Sequence, residues 1–504
     1  MATSASAPCW TRQVSPIDLN VTAHEHAQYL RSGDYTARAL AEATLARVKA
    51  QEPSLNAYIT VTEDLAFAQA DAADARLKAG NAGPLTGIPV GVKDLLSTKG
   101  VQTTAASHML EGFVPIIDCT VVERLNAAGA VTIGKTNLDE FAMGSSTEHS
   151  YFGPTKNPWD LQRVSGGSSG GSAATVAARG VPISLGTDTG GSIRQPAALC
   201  GILGLKPTYG RVSRFGVVAF ASSLDQVGPF GQDAEDVANL LAAMAGQDAH
   251  DSTTVAVPVP DYTEHFARGF EGLRIGVPDA LMEQGVDPGV REAIEQAIAT
   301  FAAQGAQVVR GIELPAAGAA LPVYYIIAPS EASANLARYD GVKYGFSFPG
   351  GKNAEEAMAE SRGRGFGPEV KRRIMLGTYV LSAGYYDAYY LKAQKVRTLI
   401  QREFAAAFVN VDLILTPTSP GVAFRIGEKV DDPVAMYLND LYTIPANIAG
   451  LPGISIPCGF SEGLPVGLQL VGRHFEESTV LQAAHAYGTV TDWHSRRPPV
   501  LPGA

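Results

Sequence analysis

The sequence predicts an α/β protein, in which a mixed central β-sheet is covered by α-helices on both faces. Segments with apolar residues at helical spacing alternate along the chain with short, continuously apolar segments of the kind that form buried strands. No internal repeat and no long proline- or serine-rich linker interrupts this alternation. A single large domain is therefore expected for the whole chain, residues 1–504.

Helices are predicted where an apolar stripe or a terminal signal occurs. Residues 36–50 carry such a stripe. A second helix is expected to begin at Thr120, because residues 120–123 have the spacing of a capping box, and to stop at Gly129. A third is predicted within residues 287–305, since this segment starts with Asp-Pro, carries an apolar stripe and closes with Gly.

Five short apolar segments predict strands of the sheet. They are residues 130–133, 181–185, 273–277, 411–415 and 454–457. The polar, glycine-dotted segment 344–366 is expected to be an irregular surface insertion. The proline-rich tail, residues 496–504, is expected to end in disorder.

The composition excludes several classes of function. A formal net charge of -11 makes the surface acidic, so the chain alone is a poor partner for the phosphate backbone of a nucleic acid. The four cysteines are far apart and no histidines have a metal-ligand spacing, so neither a metal nor a disulfide framework is expected. This use of cysteine fits a reducing compartment.

The apolar segments are too short for a membrane protein. A transmembrane helix needs about 18 or more apolar residues in a row, and no such stretch occurs. Residues 1–10 lack the charged and apolar regions of a secretory signal, so a cytoplasmic protein is expected. Residues 1–16 contain no acidic residue and are rich in Ser and Ala, which leaves a short organellar leader open.

Two serine-bearing glycine strings lie between segments that are predicted to be core. Residues 165–172 have the sequence SGGSSGGS, and residues 186–194 have the sequence GTDTGGSIR. Glycines allow successive backbone N–H groups to point to one place, as the oxyanion formed during amide hydrolysis requires. Ser192 is then the candidate nucleophile. The alternative is a strand-to-helix turn in which Ser192 caps a helix.

Lys93 ends an apolar run, GIPVGVK, in which a charged side chain is unusual and indicates a function. It is the candidate base, but a base must be neutral and an unperturbed lysine titrates near 10.4. Burial has to lower its pKa to about 7, at a desolvation cost of about 4 kcal/mol. Ser168 then passes the proton between Ser192 and Lys93, since a hydroxyl both donates and accepts. A buried structural pair of Lys93 with Asp94 is the alternative.

The first string also matches a competing pattern. Residues 166–170, GGSSG, fit the G-x-S-x-G nucleophile elbow of α/β-hydrolases. That elbow follows a strand directly, whereas residues 157–163 are polar and turn-like, and no histidine is placed to act as its partner. An elbow with Ser168 as the nucleophile is therefore not favoured.

The Lys93 segment and the two strings resemble, in order and spacing, the three hallmark elements of the amidase signature family. The resemblance extends from about residue 36 to residue 487 and implies one amidase-signature domain. It implies a catalytic triad of Lys93, Ser168 and Ser192, with Ser192 as nucleophile, and a cis peptide bond between Gly167 and Ser168. The backbone amides implied for the oxyanion hole are those of Thr189, Gly190 and Gly191.

The same resemblance divides the domain into parts. Residues of about 80–230 would form the catalytic core, about 240–400 the region that decides substrate specificity, and about 405–490 the C-terminal part of the sheet. Five further segments resemble one branch of the family, the glutaminase subunits of tRNA-dependent amidotransferases. They are residues 134–148, 330–341, 365–373, 437–440 and 444–447.

That branch implies the reaction and the partners. L-Glutamine would be hydrolysed through a glutamyl-Ser192 ester, and the ammonia would convert Glu-tRNA(Gln) to Gln-tRNA(Gln) in a partner B subunit that uses ATP and magnesium. A C subunit would complete the heterotrimer. The tRNA would be held mainly by the B subunit, and this chain itself would carry no cofactor. The alternative function is a free-standing amidase of the same family that acts on small or apolar amides.

The resemblance also implies three glutamine-binding residues: Tyr324, Arg373 and Asp440. A free amino acid presents a carboxylate, which suits the fork of an arginine, and an ammonium group, which suits an aspartate. Tyr325 matches the implied tyrosine equally well, so that choice stays open. Arg373 also belongs to a run of three basic residues, 371–373, which alone is typical of an exposed helix face.

Overall fold

Uninterrupted burial along most inner strands places the sheet at the centre of the protein. The computed structural model describes residues 17–283, 285–499 and 501. In the strand Ile183–Asp188, for example, all six residues are buried. Because successive side chains of a strand point to opposite faces, both faces of the sheet must be covered there. The predicted α/β fold with a mixed sheet is confirmed.

The described residues contain thirteen strands. They are β1 Tyr58–Val61, β2 Pro89–Lys93, β3 Val131–Thr136, β4 Lys156–Asn157, β5 Asp160–Val164, β6 Ile183–Asp188, β7 Leu203–Lys206, β8 Gln226–Gly231, β9 Arg274–Val277, β10 Gln307–Arg310, β11 Leu413–Pro417, β12 Gly453–Ser461 and β13 Leu464–Gly472. Eleven of them form one sheet in the order β1-β3-β2-β6-β8-β7-β12-β13-β11-β9-β10, and β4 pairs with β5 separately. The runs β3-β2-β6 and β11-β9-β10 are parallel, and the other neighbours are antiparallel.

Sixteen α-helices occur in the same part of the chain. They are α1 Ala23–Ser32, α2 Ala37–Leu55, α3 Glu63–Lys78, α4 Thr120–Ala128, α5 Gly170–Ala177, α6 Arg194–Cys200, α7 Ala234–Met244, α8 Asp279–Met282, α9 Pro288–Ala303, α10 Ala320–Asn335, α11 Ala354–Gly365, α12 Pro368–Leu381, α13 Lys392–Ala407, α14 Pro433–Tyr437, α15 Ile444–Ala449 and α16 Glu477–Val490. Helices α5 and α6 each begin within or directly after one of the two glycine strings. Both strings therefore lie where backbone enters a helix.

The predicted helices at 36–50 and 287–305 are confirmed as α2 and α9, and the five predicted strands correspond to β3, β6, β9, β11 and β12. The helix predicted from Thr120 to Gly129 is confirmed as α4, with Gly129 as its C-cap, but its capping box at 120–123 is wrong. The residue that caps α4 is Cys119, and Thr120 is already helical. The Thr120 hydroxyl instead donates to Asp248 Oδ2 at 2.5 Å, a contact between distant parts of the chain that local spacing does not reveal.

Two segments are more regular than expected. Part of the predicted irregular insertion forms α11, whose start is stabilised because the Asn353 side chain accepts a hydrogen bond from the amide of Glu356. The turn-like segment before the first string forms β5, which pairs with β4. In both cases a polar composition favours irregular structure, but exposed helices and hairpins are polar as well.

The ends of the chain are described in part. Residues 1–16, to which the possible leader belongs, and residues 500 and 502–504 of the tail lie outside the described residues. Of the remaining tail, Leu501 is buried and Arg497 Nη2 donates to the carbonyl oxygen of Asn20 at 3.4 Å. No described helix has the length and apolar character needed to cross a bilayer.

Candidate active site

Lys93 is the last residue of β2 and is fully buried. Its Nζ lies 2.8 Å from Oγ of Ser168, 2.8 Å from Oγ of Ser169 and 2.9 Å from Oγ1 of Thr187. The predicted contact between Lys93 and the first glycine string is thus present. Ser169 and Thr187 were missed from the sequence, because nothing in the local pattern shows that their hydroxyls meet a lysine on another strand.

The environment of Lys93 favours the neutral amine. Desolvation lowers the pKa of Lys93 to about 7, against the opposing charges of three aspartates, Asp139, Asp188 and Asp225. None of them forms an ion pair with Lys93 in the described structure. The neighbouring Asp94 points away from Lys93 and pairs with Lys135, at 3.3 Å between Oδ1 and Nζ. The alternative of a Lys93–Asp94 pair is therefore not realised.

The two glycine strings lie against one another. The amide of Ser169 donates to the carbonyl oxygen of Ser192 at 3.2 Å, which joins the first string directly to the candidate nucleophile. The peptide bond between Gly167 and Ser168 is cis, as the family resemblance implies. The strand before this string, β5, belongs to the separate hairpin and not to the central sheet, so the geometry of an α/β-hydrolase elbow is absent here.

The second string is held by Asp188, a residue that the sequence reasoning did not single out. Its Oδ1 accepts a hydrogen bond from the amide of Gly191 at 2.9 Å, and its two carboxylate oxygens each accept one from the Arg194 guanidinium at 3.0 Å. Burial alone raises the pKa of Asp188, but the Arg194 charge lowers it to about 2. The Gly191 amide, one of the three predicted oxyanion donors, is thus engaged with a carboxylate in this structure.

Arg194 connects this string to the C-terminal part of the domain. Its Nη1 donates to the carbonyl oxygen of Thr443 at 2.9 Å and to Gln469 Oε1 at 2.6 Å, and its Nη2 donates to Asn447 Oδ1 at 2.5 Å. All of these groups are buried. The loop that carries Ser192 is therefore fixed to α15 and β13, more than 240 residues further along the chain.

The two glycines before Ser192 make room for side chains of that distant part. A Cβ on Gly190 would lie 2.7 Å from Cζ of Tyr324, and a Cβ on Gly191 would lie 3.2 Å from Oδ1 of Asp440. Tyr324 thus faces the string. Its neighbour Tyr325 instead stacks on Tyr437, with ring centroids 3.9 Å apart.

Asp440 presents one free oxygen beside the glycine string. It is only 7% exposed; its Oδ2 accepts a hydrogen bond from the Ser145 hydroxyl, and its Oδ1 is buried with no hydrogen-bond partner among the described residues. Burial raises the pKa of Asp440 to about 7, although the Ser145 hydrogen bond and the charge of Arg373 act in the other direction. A buried carboxylate oxygen without a donor is a place for a ligand cation or N–H group.

Arg373 is buried, unlike the other two basic residues of its run. It is 3% exposed, and Nε donates to Oε1 of Glu369 at 2.7 Å. Three aromatic rings surround the guanidinium, with centroids 5.3 to 5.6 Å from Cζ: those of Phe220, Tyr325 and Tyr437. Burial alone lowers the pKa of Arg373, but the Glu369 charge keeps it well above its usual range. Arg373 is therefore a fixed cation in the interior.

Gln195 joins the Asp440 region to the first string. Its Nε2 donates to the carbonyl oxygen of Ser145 at 2.9 Å, and its Oε1 accepts a hydrogen bond from the amide of Gly167 at 3.0 Å. Ser145 in turn donates to Asp440. Ser145 and Gln195 were also missed, since a serine and a glutamine in polar strings carry no signal that distinguishes them from their neighbours.

No metal-binding arrangement is found at this site within the described residues. The one group of three metal-ligand side chains there consists of His24, Asp233 and Asp236, at the starts of α1 and α7. Asp236 in this group already accepts hydrogen bonds from the amides of Ala23 and His24. These bonds cap the N-terminus of α1, which explains the position of Asp236 without an ion.

A buried lysine that contacts two serine-bearing glycine strings on a mixed sheet defines a class of amide-bond hydrolases. The chain belongs to the amidase family, since its residues 39–481 match the Amidase family model. It is 59% identical over 478 residues to the A subunit of glutamyl-tRNA(Gln) amidotransferase from a Roseiflexus species, which covers 95% of this chain and 98% of that protein. The protein of the same name from Alkalilimnicola ehrlichii is 57% identical over 477 residues, with the same coverage.

A solved structure agrees with these relatives. The crystal structure of the glutamyl-tRNA(Gln) amidotransferase A subunit from Thermotoga maritima has a TM-score of 0.80 and 43% sequence identity to this chain. The structural match covers 96% of this chain and 98% of the Thermotoga chain. The single α/β domain described above is thus the fold of that family.

Replacement of Asp188 tests how strongly the second string depends on it. We expect Asp188→Asn to lower the free energy of unfolding by about 3–5 kcal/mol, because the buried Arg194 guanidinium loses its counter-charge. Asp225→Asn is the matched control: Asp225 is also buried and accepts hydrogen bonds, but it has no ion-pair partner among the described residues, so a smaller loss of about 1–3 kcal/mol is expected. Denaturant unfolding measures both, and equal losses would contradict this role of the ion pair.

Proposed function

We propose that this chain is the glutamine-hydrolysing subunit of a tRNA-dependent amidotransferase. The observation that carries the proposal is the free Oδ1 of Asp440, which lies against the glycine string directly before Ser192. A buried cation, Arg373, lies close enough to influence the pKa of this carboxyl group. A pair of opposite charges beside a candidate nucleophile suits a free α-amino acid, and the names of the relatives support the same substrate.

In the proposed complex glutamine is held at its charged end. Its ammonium group donates to Asp440 Oδ1. Its carboxylate accepts hydrogen bonds from Nη1 and Nη2 of Arg373. These two groups donate to no described residue, because the ion pair with Glu369 uses only Nε. Tyr324 closes the site over Gly190. The side-chain amide of the substrate then extends to Ser192.

The proposed proton relay uses the neutral Lys93. A neutral amine has two N–H donors and one lone pair, which matches the three hydroxyls around Nζ. Ser169 donates its own proton to the carbonyl oxygen of Thr187 at 3.1 Å, so it accepts from Lys93. The second N–H and the lone pair are then shared by Thr187 and Ser168, and the proposed relay assigns the lone pair to Ser168, which takes up a proton from Ser192 as it gives one up.

The chemistry follows from this relay. Ser192 Oγ attacks the carboxamide carbon while its proton moves through Ser168 to Lys93. The tetrahedral intermediate then expels ammonia, which takes the proton back, and leaves a glutamyl-Ser192 ester that water hydrolyses by the same relay. The amides of Thr189 and Gly190 are the oxyanion donors in this proposal, since Asp188 engages the amide of Gly191.

The remaining parts of the proposal concern the complex. A B subunit would receive the ammonia, activate Glu-tRNA(Gln) with ATP and magnesium, and amidate it, and a C subunit would complete the heterotrimer. The names of the relatives support this assembly. The formal net charge of -11 is compatible with it, because a partner that holds the tRNA relieves this chain of attracting phosphates.

Asp440→Asn tests the ammonium site. We expect kcat/KM for glutamine to fall by about 10- to 100-fold, because a charge-assisted hydrogen bond to the substrate is lost. Hydrolysis of a small neutral amide without an ammonium group should change by less than about threefold. The matched control is Asp431→Asn, an exposed aspartate on the segment before α14. Equal losses on both substrates would contradict ammonium binding by Asp440.

The pH profile tests Lys93 and Asp440 together. The pKa of Lys93 is lowered to about 7, so the neutral base accumulates as pH rises through 7; the pKa of Asp440 is raised to about 7, so the carboxylate also accumulates as pH rises. Two required deprotonations give log(kcat/KM) for glutamine a slope of about 2 below pH 7. A neutral amide, or glutamine with Asp440→Asn, should give a slope of about 1. A flat profile between pH 6 and 8 would exclude Lys93 as the base.

Ammonia release by the chain alone and by the chain co-expressed with B and C subunits tests the complex. Glutamine-selective release that rises with the partners is the expected result. Ser192→Ala should abolish it in both preparations, which separates this activity from a contaminating glutaminase. No glutamine turnover in either preparation, together with rapid cleavage of simple apolar amides, would favour the free-standing amidase instead.

A further inference from the structure

A second cavity lies away from the site and is lined by three arginines. Its volume is about 380 Å³, and it is bounded by α2, the end of α5 and the tail of the chain. The three cations are Arg47, Arg179 and Arg497, and we call this space the arginine cavity. Small apolar residues complete the wall: Ala177, Ala178, Pro498, Pro499 and Leu501.

The three arginines bond to neutral groups or to none. Arg47 Nη1 donates to Oδ1 of Asn20 at 3.2 Å and to the carbonyl oxygen of Arg179 at 3.4 Å, and Arg497 Nη2 donates to the carbonyl oxygen of Asn20 at 3.4 Å. Arg179 is 8% exposed, and its Nη1 is buried with no hydrogen-bond partner among the described residues. A buried guanidinium without an acceptor is unfavourable, because it has lost its water and gained nothing in exchange.

The acidic side chains of this protein do not neutralise the cavity. Every Asp and Glu of the sequence is among the described residues, and none lies within ion-pair distance of Arg47, Arg179 or Arg497. Asp18 acts on Arg47 and Arg497 only through its longer-range charge. Burial and, to a smaller extent, the charge of Arg497 lower the pKa of Arg179 to about 10, against the more distant charges of Asp236, Asp233 and Glu25.

We propose that the arginine cavity binds the phosphate group of a small solute. Such a group brings two negative charges and several acceptor oxygens, which the planar forks of arginines bind in pairs. The cavity has the size of a small-molecule site, so the apolar wall can cover an organic portion of the ligand. The cavity lies at the end of α5 opposite to Ser168 and shares no residue with the site of the proposed function, on which it does not depend.

The experiment measures binding of two probes to the full chain by calorimetry, in chloride buffers of constant ionic strength. Inorganic phosphate and glycerol 3-phosphate are the probes. Arg179→Gln should weaken binding by at least about tenfold, because one charge-assisted contact is lost. Arg268→Gln, at an exposed arginine without an ion pair, is the matched control and should leave binding unchanged.

Stability gives a second readout. In phosphate-free buffer Arg179→Gln should unfold at the same temperature as the parent chain or higher, because the variant removes an uncompensated buried charge. Added phosphate should raise the unfolding temperature of the parent and of Arg268→Gln, and not that of Arg179→Gln. If Arg179→Gln does not fold, Arg497→Gln at the exposed rim decides the same point.

The two probes distinguish the source of the phosphate. Tighter binding of glycerol 3-phosphate indicates a phosphate ester, and equal binding indicates free phosphate; both outcomes support the site. The proposal is overturned if neither probe binds at millimolar concentration. It is also overturned if both probes stabilise the parent, Arg179→Gln and Arg268→Gln equally, since that result describes a general effect of salt.

Discussion

The ion pair between Asp188 and Arg194 fixes the geometry around Ser192. Asp188 ends β6 and Arg194 begins α6, so the pair closes the connection between them across five residues. The remaining donors of Arg194 are taken by groups of α15, β13 and the residue before α15. One buried guanidinium therefore fixes the position of the string that carries Ser192 and the distant segment that packs against it. The position of Asp440 beside Gly191 follows from this arrangement.

The parts of the site that the sequence predicts are those with a strong local pattern. The two glycine strings identify themselves by composition, and the lysine at the end of an apolar strand is conspicuous because charge is rare there. Their mutual contact is confirmed for Lys93 and Ser168. The strands and the two striped helices are also predicted from a local pattern, because the spacing of apolar residues along the sequence follows the spacing of buried side chains in each element. Terminal signals are weaker, as the wrong capping box at Thr120 shows.

The parts that the sequence does not predict depend on contacts between distant segments. Adjacent residues on a helix point about 100° apart, so Tyr324 and Tyr325 cannot both face the string, and two tyrosines in succession do not reveal which one does. The same holds for the two extra hydroxyls at Lys93, for the Ser145 hydroxyl at Asp440 and for the Glu369 carboxylate at Arg373. Each is an ordinary residue in its own segment, and only the folded chain gives it a partner.

The close approach of other side chains to Gly190 and Gly191 also limits which mutations this protein can accept during evolution. Any larger residue at either position intrudes on Tyr324 or on Asp440 and Thr443, so a mutation there displaces the second glycine string and its distant neighbours together. Under the proposed function, mutations that alter which amide is accepted while hydrolysis continues are therefore expected in α10, α12 and the segment around Asp440. An amidase scaffold with that function can acquire new substrates through its C-terminal half, while the glycine string that carries Ser192 stays unchanged.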